Sequence, residues 1–351
     1  MKPSLFSRRR FVSACLAVGA THVVSGAASR AVREQGGVVE PSMRYVRGEP
    51  FPNWQAQLRQ RLESILVLPD EHGPLNARSE RVRETDSFVQ DRIQFDAEKG
   101  ERVPGYLLRP KRRNGPLPVM ICLQGHSPGM HISLGEARNS SERKSIEGGR
   151  DLARQAVNQG WAALVIEQRA FGVRAGAATC NDIALRALHG GRPLTGQRVY
   201  DVRRAIDFIG TQPDLDSSRI GCMGNSTGGT VTFYAACVDT RIALAVVSCS
   251  FCTFADSWLS LPHCACGYLP GIGPVADMPD LAGLIAPRKL LIVAGQNDHL
   301  ARIEGVRKGF AQVQALYSEM NAAGFARLVV GGGGHEFYPN LAWPVVKAWM
   351  E

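Results

Sequence analysis

This chain of 351 residues has no uninterrupted apolar run long enough to cross a bilayer. Its N-terminal apolar stretch, from Phe11 to about Ala28, is broken by Thr21, His22 and Ser25, whereas a spanning helix needs ~20 predominantly apolar residues. No integral membrane span is therefore expected. No internal period recurs and no low-complexity tract is present, which argues against solenoid and disordered architectures. Also missing is any Lys/Arg stripe interleaved with aromatics, so nucleic acid is not an expected partner. The formal charge of +9 looks basic, but Lys2, Arg8, Arg9 and Arg10 supply four of the positives and leave about +5 elsewhere. Cysteine is not scarce, at nine, yet it lacks a regular metal-binding spacing. Cys249-x-x-Cys252 followed by Cys264-x-Cys266 invites a zinc reading, but the second pair does not match a common knuckle. A disulfide between the two pairs is an alternative in an oxidising compartment, plain buried thiols are the default, and Cys122, Cys222 and Cys237 lie in apolar patterns that mark small core residues.

What is there begins with an export signal over residues 1–28. Ser7-Arg8-Arg9-Arg10-Phe11-Val12 resembles a twin-arginine motif, and Ser25, Gly26, Ala27 and Ala28 suit signal-peptidase cleavage. An ordinary secretory signal is the alternative; either implies a periplasmic or secreted protein. Residues 29–84 read as an N-terminal arm followed by an amphipathic helix: Phe51, Trp54, Leu58, Leu62 and Ile65 recur at helical spacing before Pro69. From residue 85 to the end, an antiparallel ribbon (88–95 and 103–108) leads into apolar runs that alternate with amphipathic helices. The runs are 119–123, 162–166, 219–223, 243–247, 290–294 and 328–330. That alternation predicts an α/β fold with a mainly parallel central sheet, helices on both faces and an antiparallel N-terminal edge ribbon. No linker splits it, so one catalytic domain is expected.

The chemistry centres on Gly224-Asn225-Ser226-Thr227-Gly228, a G-x-S-x-G pattern between a strand and a helix. Such a turn is tight enough to leave little room for side chains two residues either side of the serine, and it exposes the hydroxyl above the sheet. A serine hydroxyl needs a base, and the base needs an orienting acid. Asp298 follows the strand ending at Ala294, and His335 follows the last strand and four glycines. Three strands thus deliver Ser226, Asp298 and His335 to one rim in the order expected of this architecture. Glu304 is the alternative acid, although its position inside a helix does not suit the role. Leu123-Gln124-Gly125-His126 follows another strand, which nominates the backbone N–H groups of His126 and Thr227 as an oxyanion hole. Gln124 reads as a structural hydrogen-bonder. Arg169, Trp258 and Phe337 are candidate lining residues, though core packing or surface charge explains each at least as well, and segments 172–196 and 252–287 are candidate covers. The chemistry calls for neither an organic cofactor nor a metal.

Together, Leu123-Gln124-Gly125-His126, Glu167-Gln168-Arg169-Ala170-Phe171-Gly172, Arg219 to Gly229, Ala286-Pro287-Arg288-Lys289-Leu290-Leu291 and Gly333-Gly334-His335-Glu336-Phe337 resemble the α/β-hydrolase superfamily. More narrowly, they resemble its acetyl xylan esterase and dienelactone-hydrolase-like branch of exported bacterial serine hydrolases. The resemblance implies ester hydrolysis through an acyl-enzyme, with Ser226 as nucleophile, His335 as base and Asp298 as orienting acid. The expected substrate is a small ester, acetyl in the first instance and carbohydrate-linked in one version. Gln124 stands where relatives commonly carry histidine and Thr227 where many carry glycine, and a nucleophilic serine argues against true dienelactone hydrolysis. A peptidase on the same fold and an inactive hydrolase-like binding protein are the competing readings.

Overall fold

A computed structural model describes residues 40–70, 72–112 and 115–350. The expected export segment lies outside these residues. Among those described, no helix is long and apolar enough to cross a membrane. The first helix, α1 (Phe51–Leu66), starts on Pro50 and ends at Val67, whose φ of 53° breaks the helix two residues ahead of Pro69. Its stripe of Phe51, Trp54, Leu58, Leu62 and Leu66 is buried against the body of the protein.

Nine strands follow: β1 (Arg78–Glu84), β2 (Phe88–Glu98), β3 (Glu101–Pro110), β4 (Leu117–Leu123), β5 (Ala162–Ile166), β6 (Leu215–Asn225), β7 (Ile242–Ser248), β8 (Lys289–Gly295) and β9 (Ala326–Gly331). They form one sheet in the order β1-β2-β3-β5-β4-β6-β7-β8-β9. β1, β2 and β3 pair antiparallel, as does β3 with β5; from β5 to β9 every pairing is parallel. The antiparallel ribbon and the parallel core are thus as the hydrophobic pattern required. β1, which falls in the segment expected to be an arm, is the outermost strand.

The parallel strands are buried on both faces because helices cover both sides. Along β4, Val119, Ile121 and Leu123 enter one core while Met120 and Cys122 enter the other. The first core lies beneath α1, α5 (Leu194–Gly210), α6 (Thr227–Val238) and α8 (Ile303–Glu319). The second lies beneath α3 (Leu152–Asn158) and α9 (Pro339–Met350). The remaining helices are short: α2 (Ser140–Ser145), α4 (Cys180–His189) and α7 (Met278–Ala282). Helices α4 and α7 lie within stretches that the sequence pattern reads as irregular. α4 starts at a Thr179 side-chain cap and buries only Ala184, so its periodic signal is weak.

Candidate active site

Ser226 sits at the carboxyl end of β6, immediately ahead of α6, with φ 57° and ψ −125°. A non-glycine residue at positive φ is costly and persists where its surroundings enforce it. Here the enforcement is visible. A Cβ on Gly224 would fall 2.3 Å from the Gly228 backbone, and one on Gly228 would fall 2.1 Å from the Leu123 carbonyl oxygen. The turn is therefore closed by backbone-to-backbone approach that only glycine permits. The Ser226 N–H donates to the Ser248 carbonyl at 2.8 Å, and the Ser226 carbonyl accepts from Thr230 N at 2.9 Å. Both contacts hold the serine on its corner.

Asp298 follows β8 and His335 follows β9, whose ends are registered by the Gly295 and Gly331 pairing. The two side chains meet: His335 Nδ1 lies 2.9 Å and 3.0 Å from the Asp298 carboxylate oxygens. Asp298 also accepts from the N–H groups of Leu300 at 2.9 Å and Ala301 at 3.2 Å. Burial works against the Asp298 charge, but the hydrogen bond and charge of His335 and these N–H groups outweigh it. The carboxyl consequently lies below its usual range. His335 is further fixed through its carbonyl, which accepts from Arg150 Nη2 at 2.8 Å. Its other ring nitrogen, Nε2, is buried and has no hydrogen-bond partner among the described residues. Glu304 is an exposed first-turn residue of α8, and His335 has taken Asp298 instead.

One cavity of about 220 Å³ brings Ser226 and His335 together, and Trp258, His263, His126 and Cys266 also line it. Ser226 and His335 share this cavity without a direct hydrogen bond. Gly125 packs its backbone against the serine, since a Cβ there would sit 3.1 Å from the Ser226 Cβ. Neither the His126 nor the Thr227 backbone N–H is taken by a backbone acceptor among the described residues. Thr227 does not simply crowd this corner: its hydroxyl lies 2.6 Å from His126 Nδ1, tying the two candidate donors together through their side chains. Gln124 is structural, as expected, donating through Nε2 to Glu167 Oε1 at 2.9 Å. Burial pushes the Glu167 carboxyl up to about 7, only partly offset by the Met130 N–H.

Of the three candidate lining residues, only Trp258 faces the cavity, stacked on His263 at 4.2 Å between ring centroids. Arg169 instead forms a buried ion pair with Asp201, joined by Glu98, and Phe337 is packed in the second core. Of the expected covers, 252–287 supplies cavity wall through Ser257, Trp258, His263 and Cys266, whereas 172–196 supplies no lining residue and comes only as near as Cys180 against Cys264.

The cysteines keep the expected free thiols, with Cys122, Cys222 and Cys237 in the cores, but group differently from the two sequence pairs. The eight in the described residues are all free thiols. Cys249 and Cys252 do not join Cys264 and Cys266. Cys249 donates to the Glu336 carbonyl at 3.0 Å, and Cys252 lies against the Arg302 carbonyl. Cys264 and Cys266 gather with Cys180 and His126, residues from two other loops that the spacing could not nominate. Hydrogen bonds from Cys264 and Cys266, with help from His126 and Arg198, hold the Cys180 thiol well below its usual range against burial.

Comparison with known proteins finds relatives of this chain and of its fold. A family model described as the abhydrolase family (Abhydrolase_7) matches residues 30–242. YtaP, a candidate hydrolase of Bacillus subtilis (strain 168), is 27% identical over 293 residues, which is 80% of this chain and 94% of YtaP. Among solved structures, a candidate acetyl xylan esterase of Bacteroides fragilis NCTC 9343 superposes with a TM-score of 0.76 at 17% identity, covering 97% of this chain and 96% of the other. A glucuronoyl esterase from Solibacter usitatus gives a TM-score of 0.64 at 15% identity, covering 89% and 96%. At these identities the two structures speak to the fold.

Proposed function

This chain belongs to the abhydrolase family, and from that premise we propose that it is an exported serine esterase that cleaves small carboxylic esters through an acyl-enzyme. The reading rests above all on one observation: His335 is held by Asp298 through Nδ1, keeps Nε2 without a partner, and lines the same cavity as Ser226. In this mechanism Nε2 takes the proton as Ser226 Oγ attacks the ester carbonyl carbon. Asp298, kept ionised, stabilises the imidazolium that results. The backbone N–H groups of His126 and Thr227 receive the charge that develops on the carbonyl oxygen. His335 then passes its proton to the departing alcohol, and water attacks the acyl-enzyme by the same route reversed.

The cavity that Ser226 lines supports a substrate class. A cavity of about 220 Å³ suits a small acyl group, and the Trp258–His263 stack offers a flat apolar face for a sugar ring. Relatives described as carbohydrate, acetyl xylan and glucuronoyl esterases are consistent with a carbohydrate-linked ester. A fluorophosphonate probe tests the serine: it labels the wild type and fails to label Ser226→Ala. Acetyl, butyryl and methyl-uronate esters, set against a peptide panel, test the substrate. Absence of labelling in folded wild type, or turnover of peptides alone, would defeat the proposal.

A further inference from the structure

Beside the catalytic cavity, His126, Cys180, Cys264 and Cys266 bring one donor atom each to within 4.8 Å of all the others. Cys266 Sγ lies 3.2 Å from His126 Nε2, and Cys264 Sγ lies 3.9 Å from Cys180 Sγ. A tetrahedral zinc ion with Zn–S of ~2.3 Å and Zn–N of ~2.0 Å separates its ligand atoms by ~3.5 Å for a sulfur–nitrogen pair and ~3.8 Å for a sulfur–sulfur pair. The observed contacts bracket those spacings. Three sulfurs and one imidazole nitrogen are the soft, borderline donor set that zinc takes at closed, four-ligand structural sites.

The surroundings are those of a ligand cluster rather than of four side chains packed by chance. His126 Nδ1 is engaged by the Thr227 hydroxyl at 2.6 Å, which leaves Nε2 facing the sulfurs. A metal-bound histidine characteristically has its second nitrogen fixed in this way. Arg198 Nη2 donates to Cys180 Sγ at 3.3 Å and offsets the excess negative charge that three thiolates would carry around a divalent ion. The α4 start and the 264–267 turn are also held by hydrogen bonds outside the four donor atoms. Asn181 Oδ1 accepts from Ala265 N at 3.0 Å, and the Thr195 hydroxyl donates to the Cys266 carbonyl at 2.6 Å.

We propose that these four residues form a structural Cys3His zinc site. The ion staples three segments together at the carboxyl edge of the sheet: the loop after β4, the start of α4 and the 264–267 turn of the cavity wall. As each Zn–S bond forms, a thiol still protonated releases its proton to water. The site stands on geometry independent of the esterase reading. Where that reading also holds, the ion fixes the loop that carries the His126 N–H and so acts as a positioning group without touching substrate.

The test is metal content. Full-length chain purified after incubation with Zn²⁺ and dialysis is expected to retain about one zinc per chain, and Cys180→Ser/Cys264→Ser to retain about tenfold less or lower. Replacing zinc with Co²⁺ in the wild type should give thiolate-to-cobalt charge-transfer absorption with tetrahedral d–d bands, a readout that survives if the double variant fails to fold. Wild type that emerges free of zinc, zinc retained equally by the double variant, cobalt bound without thiolate bands, or an intact Cys180–Cys264 disulfide by mass spectrometry would each overturn the site. Fluorophosphonate labelling of Ser226 in the same preparations reports the esterase reading separately.

Discussion

The two sides of the cavity that Ser226 and His335 line are built by different means. On the serine side, backbone does the positioning: Ser226 is pressed onto its corner by Gly224 and Gly228, and Asp298 and His335 each follow the end of a registered parallel strand. On the sulfur side, side chains do it. Cys180 at the start of α4, Cys264 and Cys266 of the cavity wall and His126 of the loop after β4 share no strand pairing; they meet through their donor atoms and through side-chain bonds such as that from Ala265 N to Asn181 Oδ1. Strand ends are placed by the whole sheet, so the serine side inherits the rigidity of the parallel core. The sulfur side has little regular structure to inherit, and cross-linking is the physical substitute.

That contrast can be broken at several points. The largest effect is expected at Asp298→Asn, which preserves shape but leaves His335 with the wrong nitrogen protonated; turnover should fall by about 10⁴-fold, measured on an acetyl ester. Glu304→Gln is its control and should leave turnover intact. If the two variants behave alike, the orienting role of Asp298 is lost. Next in size is Gly228→Ala. The new methyl meets the Leu123 carbonyl oxygen at 2.1 Å, so denaturant unfolding should show a loss of about 3 kcal/mol. A stability within a few tenths of wild type would mean that the turn is looser than its contacts indicate.

Thr227→Val sharpens the comparison, because Thr227 belongs to both sides. It keeps the backbone N–H yet removes the hydroxyl beside His126 Nδ1. Loss of that one bond is expected to lower turnover about tenfold with KM little changed; an unchanged kcat would show that the side-chain tie is idle. A further expected effect concerns pH. Burial raises the Glu167 carboxyl to about 7 from a reference value of 4.5. A group raised on folding contributes stability that is complete below its unfolded pKa and disappears as pH climbs through its folded pKa. Wild-type stability should therefore decline by a few kcal/mol at most between about pH 4.5 and 7. Glu167→Gln should flatten that slope, which thermal melts across the range would reveal; an identical slope would remove Glu167 from the account.

Much of the frame was legible because periodicity reports burial. The run 119–123 reads as a strand buried on both faces, and Val119, Ile121 and Leu123 do face one core while Met120 and Cys122 face the other. The stripe from Phe51 likewise packs through Leu62, with Leu66 rather than Ile65 taking its last buried place. β1 was not legible. All seven of its residues are exposed, so no alternation marks it, and its strand conformation comes from pairing with β2. Arg169 was misplaced for a related reason. A charge near a predicted strand end looks like a site residue until Asp201 and Glu98 are found folded against it.

Local order, then, was enough to determine the strand–helix alternation, the strained serine corner and the three strand ends that carry Ser226, Asp298 and His335, since each depends on residues a few positions apart. Only the folded chain decided that His126 would reach Cys266 across 140 positions and Cys180 would reach Cys264 across 84. No period or spacing encodes such meetings. They arise from where the packed sheet happens to deliver its loops, and that is a property of the assembled core.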